Sequence, residues 1–138
     1  MLQREEDMTK LSTMVGFLVT TDTEAAHKFY TQVLGFRLLT DDSFALAFDA
    51  NGAMLRVGKA KQFTPAPNTV LGWEVENISA AVSELEVRGV TFERYAAMKS
   101  DEQGIFAFPN GDKVAWFKDP EGNVLSISQH VMGLKPVA

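Results

Sequence analysis

Two histidines, His27 and His130, are the only imidazoles in the 138 residues, and there is no cysteine. Without thiols there are no disulfides, thiolate metal sites or cysteine nucleophiles; the compartment stays open. Imidazole is the side chain that titrates closest to neutral pH. His27 falls between Ala26 and Lys28 in a helical stretch, on the side away from Phe29 and Val33, and reads as a solvated helical residue. His130 ends the last strand-like run and shares parity with Ser126 and Ser128. Acid–base work would require it to sit close to a reacting proton. Arg56 and Glu74 are charges set inside apolar, strand-like runs. A guanidinium offers a planar fork for a carboxylate or phosphate, and a carboxylate can act as a general base. No Ser/His/Asp arrangement, phosphate-cradling glycine loop or nucleotide fingerprint accompanies them.

Such side chains act only where a fold holds them. At 46% hydrophobic and 22% charged residues, the chain has the composition of a soluble globular protein rather than a disordered one. Its length fits one compact domain, or two small halves sharing a core. Net charge is −5, with no Lys/Arg cluster, which counts against nucleic acid or an anionic membrane as the main partner. The first ten residues carry Arg4, Glu5, Glu6, Asp7 and Lys10 and lack the apolar core of a secretory signal. No apolar run approaches the roughly 18 residues that span a bilayer. A cytoplasmic location is expected.

Residues 13–20 form a strand-like run rich in β-branched and aromatic side chains. Thr21-Asp22-Thr23-Glu24 reads as a capping box, with Thr21 as the cap. The helix that follows, to about Leu34, puts Ala26, Phe29, Tyr30 and Val33 on one face, and Gly35 closes it. Strands are expected at 36–40, 44–48 and 54–57, with a turn at 49–52. After a Pro-containing linker the pattern restarts: a strand at 70–75, a helix capped by Asn77 with the stripe Ile78, Ala81, Val82 and Leu85, and Gly89 at its end. Strands at 90–94, 113–117 and 124–129 complete it, with a further short one at 105–108. A shift of 55 residues places Val15 on Val70, Leu18 on Trp73 and Asp22 on Asn77. A shift of 70 places Asp49 on Asp119, Gly52 on Gly122 and Val57 on Ile127. The chain is thus a duplicated β-α-β-β-β unit, the second copy longer by an insertion between Tyr95 and Gly111.

The combination of Asp22, Phe29-Tyr30 and Val33-Leu34-Gly35-Phe36 with the later Phe117-Lys118-Asp119-Pro120-Glu121-Gly122-Asn123 resembles the vicinal-oxygen-chelate superfamily. That superfamily includes glyoxalase I, extradiol dioxygenases, and bleomycin and fosfomycin resistance proteins. The likeness covers about residues 13–130 and is informative about fold rather than reaction. It implies an α+β fold: two tandem β-α-β-β-β modules, 13–60 and 69–130, forming a curved mixed sheet with a cleft and helices on the outer face. Residues 1–12 are then a polar leader, 61–68 a linker and 131–138 a tail. The Asp119–Asn123 segment itself reads as a structural turn, with Pro120 fixing φ and Gly122 tolerating a positive one. In metal-dependent relatives a divalent cation is held from the first and last strands of each module. The corresponding positions here are Val15, Val70, Arg56 and Ser126. Two alkyl side chains and a guanidinium cannot ligate such an ion, and a lone serine is a poor ligand. The neighbours Met14, Gly16, Leu71 and Leu125 offer no better, so neither metal nor other cofactor is expected.

Strand alternation places Phe17, Arg56, Glu74 and Ser126 in the cleft, with Trp116 joining them if Phe117 packs under a helix. Arg56 and Glu74 have three readings: a mutual ion pair, an anchor for an anionic ligand through Arg56, or a general base at Glu74 with Arg56 stabilising the anion. Residues 98–108, with Asp101-Glu102-Gln103-Gly104, read as a solvated acidic loop, with a lid or partner-contacting hairpin as the alternative. The expected function is metal-independent binding of a small organic ligand. The alternative is a glyoxalase-like enzyme of lyase, isomerase or dioxygenase ancestry acting on a small oxygenated metabolite, with Glu74 or His130 as its acid–base group. A third reading is a partner-binding module with a vestigial cleft. The resemblance also implies a homodimer.

Overall fold

The computed structural model describes residues 8–133; the polar leader up to residue 7 and the tail beyond residue 133 lie outside the described residues. The first module runs β1 (Val15–Thr20), α1 (Thr23–Lys28), β2 (Arg37–Asp41), β3 (Ala45–Ala50) and β4 (Ala53–Lys59). The second runs β5 (Thr69–Glu74), α2 (Ile78–Val87), β6 (Phe106–Ala107), β7 (Lys113–Lys118) and β8 (Val124–Gln129). Each module makes a four-stranded mixed sheet, ordered β1-β4-β3-β2 and β5-β8-β7-β6. The first and last strands are parallel and the remaining pairs antiparallel. This is the α+β, duplicated β-α-β-β-β architecture expected from the sequence.

The two sequence shifts describe the same pairing. Gly16 lies opposite Leu55 and Leu71 opposite Leu125; Phe17 opposite Arg56 and Gly72 opposite Ser126; Leu18 opposite Val57 and Trp73 opposite Ile127. The correspondence breaks at Val70, where β5 bulges and Thr69 takes the place opposite Val124.

The first helix departs from expectation at both ends. Its cap is Asp22, whose carboxylate accepts from the Ala25 N–H at 3.1 Å, as Asn77 accepts from Ala80 in α2. Thr21 does not cap because Glu121 claims it: the Thr21 N–H donates to Oε1 at 2.6 Å and its hydroxyl to Oε2 at 2.8 Å. Beyond Lys28 the chain widens into a π-type turn over Phe29–Val33 before Gly35, at φ +77°, redirects it. The expected strand at 90–94 is reduced to one bridge, Glu93 to Trp116, and Phe106–Ala107 fills the rest of that sheet edge. The insertion is the reason, since it leads the chain away from the edge and returns it one segment later.

One core serves both modules. Leu18, Leu46, Phe48, Leu55 and Val57 from the first sheet join Ala115, Phe117, Leu125 and Ile127 from the second, with α2 adding Ile78, Val82 and Leu85. Tyr30 packs on Phe48 at 5.5 Å while its neighbour Phe29 reaches Phe117 at 6.4 Å, and Phe36 meets Trp73 at 5.4 Å. The helix-bearing faces of the two sheets therefore look toward each other across these side chains.

The Asp119–Asn123 turn is more than a local device. Asp119 Oδ1 accepts from the N–H groups of Glu121 and Asn123, and its Oδ2 accepts from the Tyr30 hydroxyl at 2.6 Å and from Asn123 Nδ2 at 2.9 Å. Asn123 Nδ2 also donates to the Val19 carbonyl at 3.1 Å. Burial, with the Asp119 carboxylate beside it, keeps the Tyr30 phenol protonated far above its ordinary range.

Candidate functional site

Because the helices and the core occupy one side of each sheet, the other side is open. On the first sheet this face carries Val15 and Phe17 from β1 and Met54 and Arg56 from β4, with Phe17 directly opposite Arg56. Phe17 is 71% exposed, and Phe44, just before β3, is 78% exposed. The guanidinium of Arg56 forms no ion pair among the described residues. Its field reaches Asp42, whose carboxyl is held below the usual range chiefly by the N–H groups of Phe44 and Ala45 and secondarily by Arg56 and Lys59.

On the second sheet the open face is a walled hollow. A cavity of about 620 Å³ is lined by Trp116, Ser126, Ser128, His130, Phe108 and Asp112, together with neighbours that all belong to the second module. Trp116 and Ser126 are directly paired across β7 and β8. Gly72, on the adjacent strand, is what lets Ser126 lie there: a Cβ at residue 72 would stand 2.3 Å from the serine Oγ. Tyr95 stands edge-on to Trp116 at 5.4 Å, with Phe106 at 6.4 Å and Phe108 beyond it. The Tyr95 oxygen is buried without a partner among the described residues, and desolvation raises its pKa.

The insertion builds this wall: Asp101 and Glu102 are solvent-exposed, as read from the sequence, while the segment that carries them is pinned. Arg94 donates to the Asp101 carbonyl at 2.6 Å, and Gln103 bonds Ser79 of α2 in both directions, at 2.8 and 3.1 Å. Its acidic residues sit on the outside while its aromatics turn inward, a split that the Asp101-Glu102-Gln103-Gly104 run conceals.

The mutual Arg56–Glu74 ion pair does not form. Glu74 is at the end of β5, opposite Ser128, where its Oε2 accepts from the His130 N–H at 3.2 Å and lies 3.4 Å from His130 Nδ1. Arg56 is on the other sheet. Thus Trp116, Ser126 and His130 come together in one cavity with Glu74 behind the histidine, whereas Phe17 and Arg56 form a separate patch. His27 is exposed on α1, as its helical position indicated. Asp112 was not anticipated. It accepts from the Val131 N–H at 2.8 Å and from Asn110, and these bonds with nearby His130 hold its carboxyl below the usual range. The Asn110-Gly111-Asp112 turn is its only sequence trace, and a turn is silent about facing a cavity.

The four positions assigned from the sequence, Val15, Val70, Arg56 and Ser126, present two alkyl groups, a guanidinium and a hydroxyl that is mostly buried beside Gly72, and Thr69, which takes the place of Val70 in the strand register, adds only another hydroxyl. That donor set does not fit a divalent cation. Among the described residues no three His, Cys, Asp or Glu side chains gather to offer another.

The structure is similar to lactoylglutathione lyase from Agrobacterium tumefaciens, with a TM-score of 0.69 and 16% identity over 91% of this chain and 98% of that one. It is similar to a glyoxalase/bleomycin resistance protein/dioxygenase from Nocardioides, with a TM-score of 0.69 and 20% identity over 95% and 91%. It also resembles TnmS3, an antibiotic binding protein from Streptomyces sp. CB03234, with a TM-score of 0.65 and 24% identity over 88% and 98%. A comparison with curated proteins returned no match. At these identities the structures speak for the fold alone. The family model, however, matches residues 11–127. The chain belongs to the Glyoxalase/Bleomycin resistance protein/Dioxygenase superfamily.

Proposed function

We propose that this protein binds a small organic molecule, without metal, in a cleft assembled from two copies of the chain and acting in the cytoplasm. One observation carries the reading: the two open faces lie on opposite sides of the shared core, so within one chain each is half a site. The first half is an apolar patch around Phe17 with a free guanidinium; the second is a walled cavity with Trp116 at its base. A second copy, docked through the Phe17 face, closes the one over the other. Apolar walls with a few convergent polar groups are the usual make-up of a small-molecule site. The antibiotic-binding relative and the unsuited metal positions support binding over metal chemistry. No helix among the described residues is long and apolar enough to cross a membrane.

Native mass spectrometry with sedimentation tests it. The wild type is expected to be a dimer carrying no stoichiometric divalent metal, with ligand affinity unaffected by a chelator. Phe17→Asp is expected to be a folded monomer that has lost the ligand. A wild-type monomer that retains ligand, or one divalent ion per site, would overturn the reading.

The Glu74–His130 contact favours a second reading, proton transfer on a bound metabolite, because the carboxylate orients an imidazole at the cavity rim. Exchange of a ligand C–H in D₂O by the wild type and not by His130→Ala is its expected signature. No exchange by the wild type removes it.

A further inference from the structure

A second cavity, of about 560 Å³, lies on the core side of the molecule, between the modules and away from both open faces. Leu34 and Phe36, where the chain leaves the π-type turn, form one wall; Trp73, Val75 and Leu85 of the second module form the other. Apart from Leu85, these side chains are only partly covered, although they pack against the core. The volume lies within the range of about 300–1,000 Å³ typical of small-molecule sites.

Its rim decides the ligand's charge. Five ionisable side chains line it: Arg37, Asp49, Glu74, Glu84 and Arg88. Arg37 is paired with Asp49 at 3.1 Å, while Arg88 donates one N–H to the Val33 carbonyl at 3.2 Å and keeps its charge. Glu74 keeps one oxygen on His130. The Glu84 side chain makes no hydrogen bond or ion pair among the described residues, even though Arg88 follows it by one helical turn. With three carboxylates against two guanidiniums the rim carries a small acidic excess, beside an apolar trough, in a chain of net charge −5.

The geometry points to this inter-module cavity as a second binding site, for a hydrophobic amine whose apolar body lies against the contacting Phe36–Trp73 pair and whose ammonium group pairs with Glu84. The site needs one chain only, so it is independent of the cleft proposed above.

Trp73 and Trp116 are the only two indoles in the chain and report separately on the two cavities. In the full-length protein, titration with 4-phenylbutylamine is expected to move the Trp73 indole resonance saturably and leave that of Trp116 in place. 4-Phenylbutyrate is expected to bind about tenfold more weakly, and Glu84→Gln to weaken the amine about three- to tenfold and narrow the gap between the probes. Glu84 is exposed on α2 and glutamine is a good helix former, so this variant folds. The monomeric Phe17→Asp protein is expected to bind the amine as the wild type does. Equal binding of butyrate and amine, movement of Trp116 instead of Trp73, or no effect of Glu84→Gln would overturn the assignment.

Discussion

Replacing Tyr30 by phenylalanine isolates the strongest single link between the modules. The ring stays, so packing against Phe48, Phe36 and Phe29 is retained, and only the 2.6 Å hydrogen bond to Asp119 is lost. Asp119 keeps the Asn123 amide on the same oxygen and two backbone N–H groups on the other, so no buried acceptor is orphaned. A hydrogen bond to a carboxylate contributes about 1.5–3 kcal/mol. For a chain of this length that corresponds to a melting temperature lower by roughly 5–10 °C. Urea denaturation followed by far-UV circular dichroism checks it: the midpoint falls and the slope is unchanged, because the surface exposed on unfolding is the same. Asp119→Ala is expected to cost more, since it strands the Tyr30 hydroxyl and both backbone donors. In the double-mutant cycle Tyr30 and Asp119 then couple by about 1.5–3 kcal/mol. An unchanged midpoint for Tyr30→Phe, or a coupling near zero, would refute the view that this bond fastens the modules.

The two tyrosines, Tyr30 and Tyr95, both titrate above their ordinary value of 10.0, Tyr30 mainly through burial. Their contribution to stability is complete below pH 10 and is lost as pH climbs past it; the Tyr30 phenolate should absorb at 295 nm only together with unfolding, and its ionisation in the folded state would contradict this. Asp42, Asp49 and Asp112 titrate below the ordinary 3.8, so their stabilisation is present above that value and is lost as pH falls beneath it. Asp42→Asn should flatten the acid limb of a melting profile, and an unaltered limb would exclude Asp42 as a contributor. Gly72→Ala forces Ser126 aside and should destabilise by about 1–3 kcal/mol, partly relieved by adding Ser126→Gly; a neutral Gly72→Ala would show that β8 yields freely. Arg56→Ala should abolish binding of any carboxylate- or phosphate-bearing ligand, with calorimetry as the check; unchanged affinity would remove Arg56 as the anchor.

The duplicated architecture was legible because it is written locally. Period-2 runs, the cap at Asn77 and Gly35 at the helix exit are each properties of a few adjacent residues, whereas the first helix is capped by Asp22 and not by Thr21. The partners of those residues were not legible. Thr21 reads as a cap until Glu121, a hundred residues away, is seen to occupy it. Glu74 and Arg56 read as a pair because alternation assigns faces, yet it does not say which faces meet. The wall around Trp116 was hidden for another reason: charges mark the insertion as solvent-facing, while Tyr95, Phe106 and Phe108 are spaced too irregularly to display an inward side.

The clasp between the modules also bears on how the chain folds. Its bonds join residues 89 to 104 positions apart. Loop closure over that span is slow relative to pairing within a module, so the joint closes last. During synthesis the first module emerges with its half of the core uncovered and waits for the second. Every contact of the joint is equally available from another chain's second module, so crowded refolding should trap interlocked dimers in which modules have traded partners. Fast dilution, which favours closure within one chain, is the route to a uniform product.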